Sequence, residues 1–159
     1  MNAARLTGRY TFGMIAVLAC LALSGCEYDV PITSKPTRKV DGRLLGDWIS
    51  KDRKDKMKVR KLDEDVYIIS YNGDLFRGYH SDLAKTSFVS VQDIDSAERK
   101  YSYLAWELPT DGNRLILRPI NTDIIPKETK DSASVQRLLE KNLQNPKMFN
   151  EEAEFTKEK

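Results

Sequence analysis

Two cysteines and one histidine are the side chains here best suited to nucleophilic, acid–base or metal chemistry. Their positions limit what each can do. His80 is the only histidine, so no site built on several imidazoles can form. It closes a predicted strand beside a turn, with no recognisable nucleophile or base partner nearby in sequence, so it reads as a surface histidine at a strand end. A hydrolase would need a nucleophile within hydrogen-bond reach of this ring. Glu151 and Glu152 are adjacent in a segment that reads as extended, which sends their carboxylates to opposite faces, unlike a catalytic acid pair. No glycine-rich loop of the phosphate-cradling kind occurs. The expectation is a chain with no catalytic residue, cofactor or metal of its own.

The cysteines sit at the N-terminus. Arg5 and Arg9 precede thirteen residues, Thr11 to Leu23, with almost no polarity, and this is the layout of a signal peptide. As a helix the apolar stretch would be ~20 Å long, against ~30 Å for a bilayer's hydrocarbon core, so a cleaved segment fits better than a permanent span. Cys20 lies inside it. Next comes Leu23-Ser24-Gly25-Cys26, a branched apolar residue, two small residues and a thiol. This motif resembles the lipobox of bacterial lipoproteins; an ordinary signal peptide followed by a chance cysteine is the competing reading.

The resemblance implies that residues 1–25 are removed. It implies that Cys26 then heads the mature chain, with diacylglycerol on its sulfur and often a further acyl chain on its amine. Two or three chains hold firmly where one holds weakly, each buried methylene contributing ~0.8 kcal/mol. A lipid-anchored protein of the cell envelope follows, with the membrane as its partner. Glu27 stands where enteric-type lipoproteins kept at the inner membrane carry aspartate, so the resemblance points to the outer membrane, periplasmic face. Cys20 would leave with the signal and Cys26 would be modified, so no internal disulfide is available despite the oxidising compartment.

The full chain has 26 basic and 24 acidic residues. Loss of residues 1–25 takes Arg5 and Arg9, leaving 24 of each in 134 residues, a balance that gives no support for nucleic acid as a partner. The densest charge run is Lys51, Arg53, Lys54, Lys56, Lys58, Arg60 and Lys61, with Asp52 and Asp55 among them. The reading favoured is a solvated strand face guarded against edge pairing; contact with anionic head groups or an acidic partner is the alternative.

The elements that would carry these residues follow from periodicity. Residues 26–41 contain Pro31 and Pro36 and no apolar repeat, and read as the lipidated N-terminus and a flexible tether, able to reach ~50 Å when extended. A single domain is expected over 42–159. Strand-like alternation runs through Leu44–Ile49, Lys56–Arg60, Val66–Tyr71, Leu75–His80, Thr86–Val91, Lys100–Leu108, Leu115–Arg118 and Ala153–Thr156. Asn72-Gly73 predicts a type I′ hairpin turn. Near 132–144 the period lengthens, placing Val135, Leu138, Leu139 and Leu143 on one side of a helix with Ser132 as N-cap and Pro146 as a stop. The fold class expected is all-β with one C-terminal helix, an up-and-down antiparallel meander closing into a small barrel. Tyr67, Tyr71, Tyr79, Tyr101 and Tyr103 fit either its interior or its boundary with solvent.

In Leu44-Leu45-Gly46-Asp47-Trp48, the Gly-x-Trp of the first strand resembles the opening of lipocalin-like barrels. That resemblance implies that Gly46 permits a close backbone approach and Trp48 plugs the barrel's end. A strand after the helix and the lack of a disulfide set the chain apart from true lipocalins. Function is expected to be that of a non-catalytic interaction or structural module meeting an envelope protein. The alternative is a carrier of a small apolar ligand such as a fatty acid, which would need an interior cavity of ~300 Å³ or more and would be ruled out by a lumen filled with Trp48, Phe88, Leu104 and Trp106.

Overall fold

The computed structural model describes residues 28–159. Eight strands follow one another as an antiparallel meander: β1 (Gly46–Ser50), β2 (Lys56–Lys61), β3 (Tyr67–Tyr71), β4 (Asp74–His80), β5 (Phe88–Asp93), β6 (Tyr101–Glu107), β7 (Arg114–Pro119) and β8 (Ala153–Lys157). The helix α1 (Ser132–Asn142) lies between β7 and β8. Strand β1 pairs with both β2 and β8, which closes the sheet into a barrel with no free edge.

Turn chemistry sets the registers. Asn72 and Gly73 have φ of 51° and 110°, both positive as a type I′ turn demands, and Tyr71 lies opposite Asp74. The Asn72 side chain accepts from the Lys56 amide at 2.9 Å and donates to Asp55 at 2.8 Å, joining this hairpin to the previous one. β5 starts later than the alternation suggests because Leu83 and Thr86 first close a tight turn of their own, with Ala84 at φ 52°.

Alternation on β2 is complete: Met57 and Val59 point inward while Lys56, Lys58 and Arg60 are exposed. β5 and β6 differ, being buried on both faces over Phe88–Val91 and Tyr101–Trp106. Their inward residues Val89, Val91, Leu104 and Trp106 join the barrel core; Phe88, Tyr101, Tyr103 and Ala105 face outward into a second core. Phe88 is therefore not part of the lumen filling. Two elements cover it and its neighbours.

One cover is α1, whose Val135 and Leu139 are fully buried. Its N-cap is Asp131, whose carboxylate accepts from the Ser134 amide at 2.8 Å, and not Ser132. The Ser132 hydroxyl donates instead to the Pro31 carbonyl at 2.7 Å. The other cover is the segment expected to be a flexible tether. From Tyr28 onward it is a strap fixed to the barrel; Cys26 and Glu27, with the signal segment, lie outside the described residues. Tyr28 exchanges backbone hydrogen bonds with Tyr101, the Ile32 amide donates to Ser90, Tyr79 donates to the Thr33 carbonyl, and the Thr37 amide donates to the His80 carbonyl. Gln136 on α1 clamps the strap from outside by donating to the Ile32 carbonyl at 3.0 Å.

Ile32 is fully buried in this second core, and full burial of such a side chain stabilises by ~1.5–3 kcal/mol. Truncation in a tether would change nothing; here Ile32→Ala is expected to cost about 2–5 kcal/mol, read from the denaturant midpoint of the purified protein.

Candidate functional site

The barrel end formed by the 61–67, 80–88 and 107–114 connections gathers the residues with most chemical potential. The chain enters it through a short 3-10 turn, Gly42–Leu44. Trp48 is fully buried beneath that turn, and its indole N–H donates to the Leu44 carbonyl at 2.9 Å. The Lys157 ammonium lies 5.2 Å from the indole ring centre and donates to the Arg43 carbonyl at 2.7 Å. Gly46 has φ 149°, and a Cβ there would lie 2.6 Å from Lys157 Cε. Gly46 and Trp48 thus stand together where the first and last strands meet.

His80 is fully buried, not a surface residue. It points into the lumen's end, its ring edge-on to Tyr67 and Trp106 with centres 5.5 and 5.0 Å away. Tyr67 accepts from the Asp41 amide at 2.6 Å and lies 2.8 Å from His80 Nε2. If the phenol donates to Nε2, the imidazole proton sits on Nδ1, facing Asp82 Oδ1 at 3.9 Å, beyond hydrogen-bond reach. Nδ1 itself has no hydrogen-bond partner among the described residues.

Asp82 is engaged elsewhere. It pairs with Arg38 at 2.7 Å and accepts from the Ser87 hydroxyl at 2.9 Å, while Ser87 accepts from Arg38 at 2.8 Å and Trp106 at 3.2 Å. Serine, aspartate and histidine are thus neighbours in an order unlike that of a catalytic triad: the serine hydroxyl donates to the Asp82 carboxylate and not to the imidazole. The hydroxyl that does reach His80 belongs to Tyr67, whose burial pushes its pKa up to about 12. Burial, aided by the Arg38 charge, pushes His80 down to about 4. The pair is badly matched for moving a proton from phenol to imidazole at neutral pH; it joins the entry segment to β3 and β4.

Outside this network lies a cleft of about 480 Å³, lined in part by Leu44, Trp106, Leu108, Phe149, Arg118 and Lys85. Arg118 is held by Glu107 and Glu152. Glu152, like Glu151, is exposed just before β8 and not within it. Trp48, Leu104 and Trp106 fill the lumen, together with side chains from every strand. Of the five tyrosines, Tyr67 and Tyr71 belong to that interior and Tyr101 and Tyr103 to the outer core; Tyr79 is buried under the strap.

The basic run of residues 51–61 is spread over a turn and the outer face of β2. Lys51 pairs with Glu154, Lys54 with Asp52, Arg60 with Asp47 and Lys61 with Glu64. Among the described residues no group of histidine, cysteine, aspartate and glutamate is placed to hold a metal ion, and no helix is long and apolar enough to cross a membrane.

Because the fold depresses the His80 pKa, the unfolded chain takes up the proton first as pH falls. The associated stability is complete above about pH 6.5 and is lost between there and about pH 4, a change of about 3 kcal/mol. His80→Gln is expected to flatten that part of a stability–pH curve; an unchanged slope would contradict the assignment. Gly46→Ala is expected to destabilise by about 1–3 kcal/mol through its backbone conformation, seen as a lowered denaturation midpoint. Comparison with protein-family models, with curated proteins and with solved structures finds no match.

Proposed function

We propose that this chain is a lipid-anchored protein of the bacterial cell envelope whose barrel serves as a non-catalytic interaction or structural module. The anchoring part rests on Leu23-Ser24-Gly25-Cys26 behind a signal-like apolar stretch, with Cys26 as the lipidated residue. Glu27 favours the outer membrane, periplasmic face, within the same resemblance.

The observation that carries the module reading is the filled lumen. Lipocalin-like carriage needs a space among the inward side chains, and here those side chains pack on one another, with Phe155 6.4 Å from the Tyr71 ring and Tyr67 5.4 Å from Trp106. Carriage of a small apolar ligand remains a second reading because of the rim cleft. Its volume lies within the range of ligand sites, and Leu44, Trp106, Leu108 and Phe149 give it apolar wall.

Intact-mass measurement on the protein made in a bacterial host with a lipoprotein pathway tests the anchor. The expected product lacks residues 1–25 and carries the added mass of two or three acyl chains; Cys26→Ser is expected to keep residues 1–25 and gain no lipid. Native mass spectrometry of the detergent-extracted protein separates the two readings of the barrel. A copurifying protein favours the module, and a bound lipid beyond the covalent one favours carriage.

A further inference from the structure

The strap changes what an anchor at Cys26 does to the rest of the molecule. Tyr28 is buried, exchanges both backbone hydrogen bonds with Tyr101 at 3.2 and 2.8 Å, donates from its phenol to the Ile125 carbonyl at 3.1 Å, and stacks on Tyr103 with ring centres 4.2 Å apart. Asp29, next along, is gripped by both Lys100 and Lys130. Only Glu27 separates this fixed point from Cys26, so the two Cα atoms are at most ~7 Å apart, where a free tether of the same segment would allow ~50 Å.

Tyr101 is the first residue of β6 and lies at the barrel end formed by the 50–56, 71–74 and 93–101 connections. The plug, the His80 network and the cleft belong to the opposite end. Strands of six or seven residues separate the two by ~20 Å. Resting on the lipid-anchor reading, we infer that the barrel is held directly against the bilayer by the rim around Tyr28, Tyr101 and the 93–101 turn, so that the cleft end faces away from the lipid. The occupant of this docking surface is the membrane that carries the anchor, and what selects it is the length of chain between the last fixed residue and the lipid.

The test uses the acylated mature product, with every residue from Cys26 onward, reconstituted in phosphatidylethanolamine–phosphatidylglycerol vesicles that contain a nitroxide-headgroup lipid. Ala97→Cys on the near rim and Thr110→Cys on the far turn, both exposed positions, are labelled separately with a small fluorophore. Severalfold stronger quenching at residue 97 than at residue 110 is expected, and a long Gly/Ser insert between Glu27 and Tyr28 is expected to erase the difference. Equal quenching at both positions in the uninserted protein, or stronger quenching at 110, overturns the orientation. Intact mass of the same sample is read in parallel. A product without acyl chains overturns the anchor reading and the orientation with it, whereas an acylated product with equal quenching overturns the orientation alone.

Discussion

Over Phe88–Val91 and Tyr101–Trp106, strands β5 and β6 have no side that faces water, and the architecture is organised around that constraint. A closed eight-stranded meander satisfies the backbone and buries one face of every strand, but leaves Phe88, Tyr101, Tyr103 and Ala105 pointing out of the barrel. Covering them requires apolar surface from elsewhere in the chain. Val135 and Leu139 of α1 and Tyr28 and Ile32 of the strap supply it, and neither cover is complete alone: Ser132 and Gln136 on the helix donate to strap carbonyls. The crossover between β7 and β8 is long because it must carry a helix back across this face.

The two cores do different work. Inside, buried apolar side chains from all eight strands form one continuous cluster. Outside, the contacts are more polar: Ser90 accepts from the Ile32 amide, Thr33 donates to Ser81, and Tyr103 donates to the Val30 carbonyl at 2.6 Å. Such bonds satisfy an irregular segment that has no strand partner, which lets a proline-containing stretch lie half-buried without leaving backbone groups stranded. The opposite side of the barrel, over β2, needs no cover and carries lysines and arginine.

The strands were legible because most have one wet face: Met57 and Val59 between lysines fix both the element and its orientation. Asn72-Gly73 was equally readable, since the turn's backbone demand is met by two residues in sequence. Phe88-Val89-Ser90-Val91 was a different case. Buried on both faces, it offers no alternation from which inside and outside can be told apart. The burial of His80 is not legible in sequence because what buries it, Tyr67 and Trp106, comes from other strands. The strap leaves no trace in periodicity: two apolar anchors, Tyr28 and Ile32, and a set of single hydrogen bonds hold a segment whose composition matches that of free linkers. Ser132 does not cap the helix for a related reason: its hydroxyl donates to the Pro31 carbonyl, far earlier in the chain.

Closure between β1 and β8 also dictates an order of events. The partners Ile49 and Thr156, or Trp48 and Lys157, come from opposite ends of the barrel sequence, so the contact that seals the sheet is the most non-local it contains. A chain emerging N-terminus first, from a ribosome or through a translocation pore, exposes one unpaired edge on β1 and another on β7 until β8 has arrived. The same late strand brings Lys157, which lies over Trp48 and binds the Arg43 carbonyl, so the contacts around Trp48, on the first strand, are not complete until the last strand is in place. In that interval the sheet is open, with two unpaired edges, and the protein is most exposed to wrong edge-to-edge pairing just before its last strand docks.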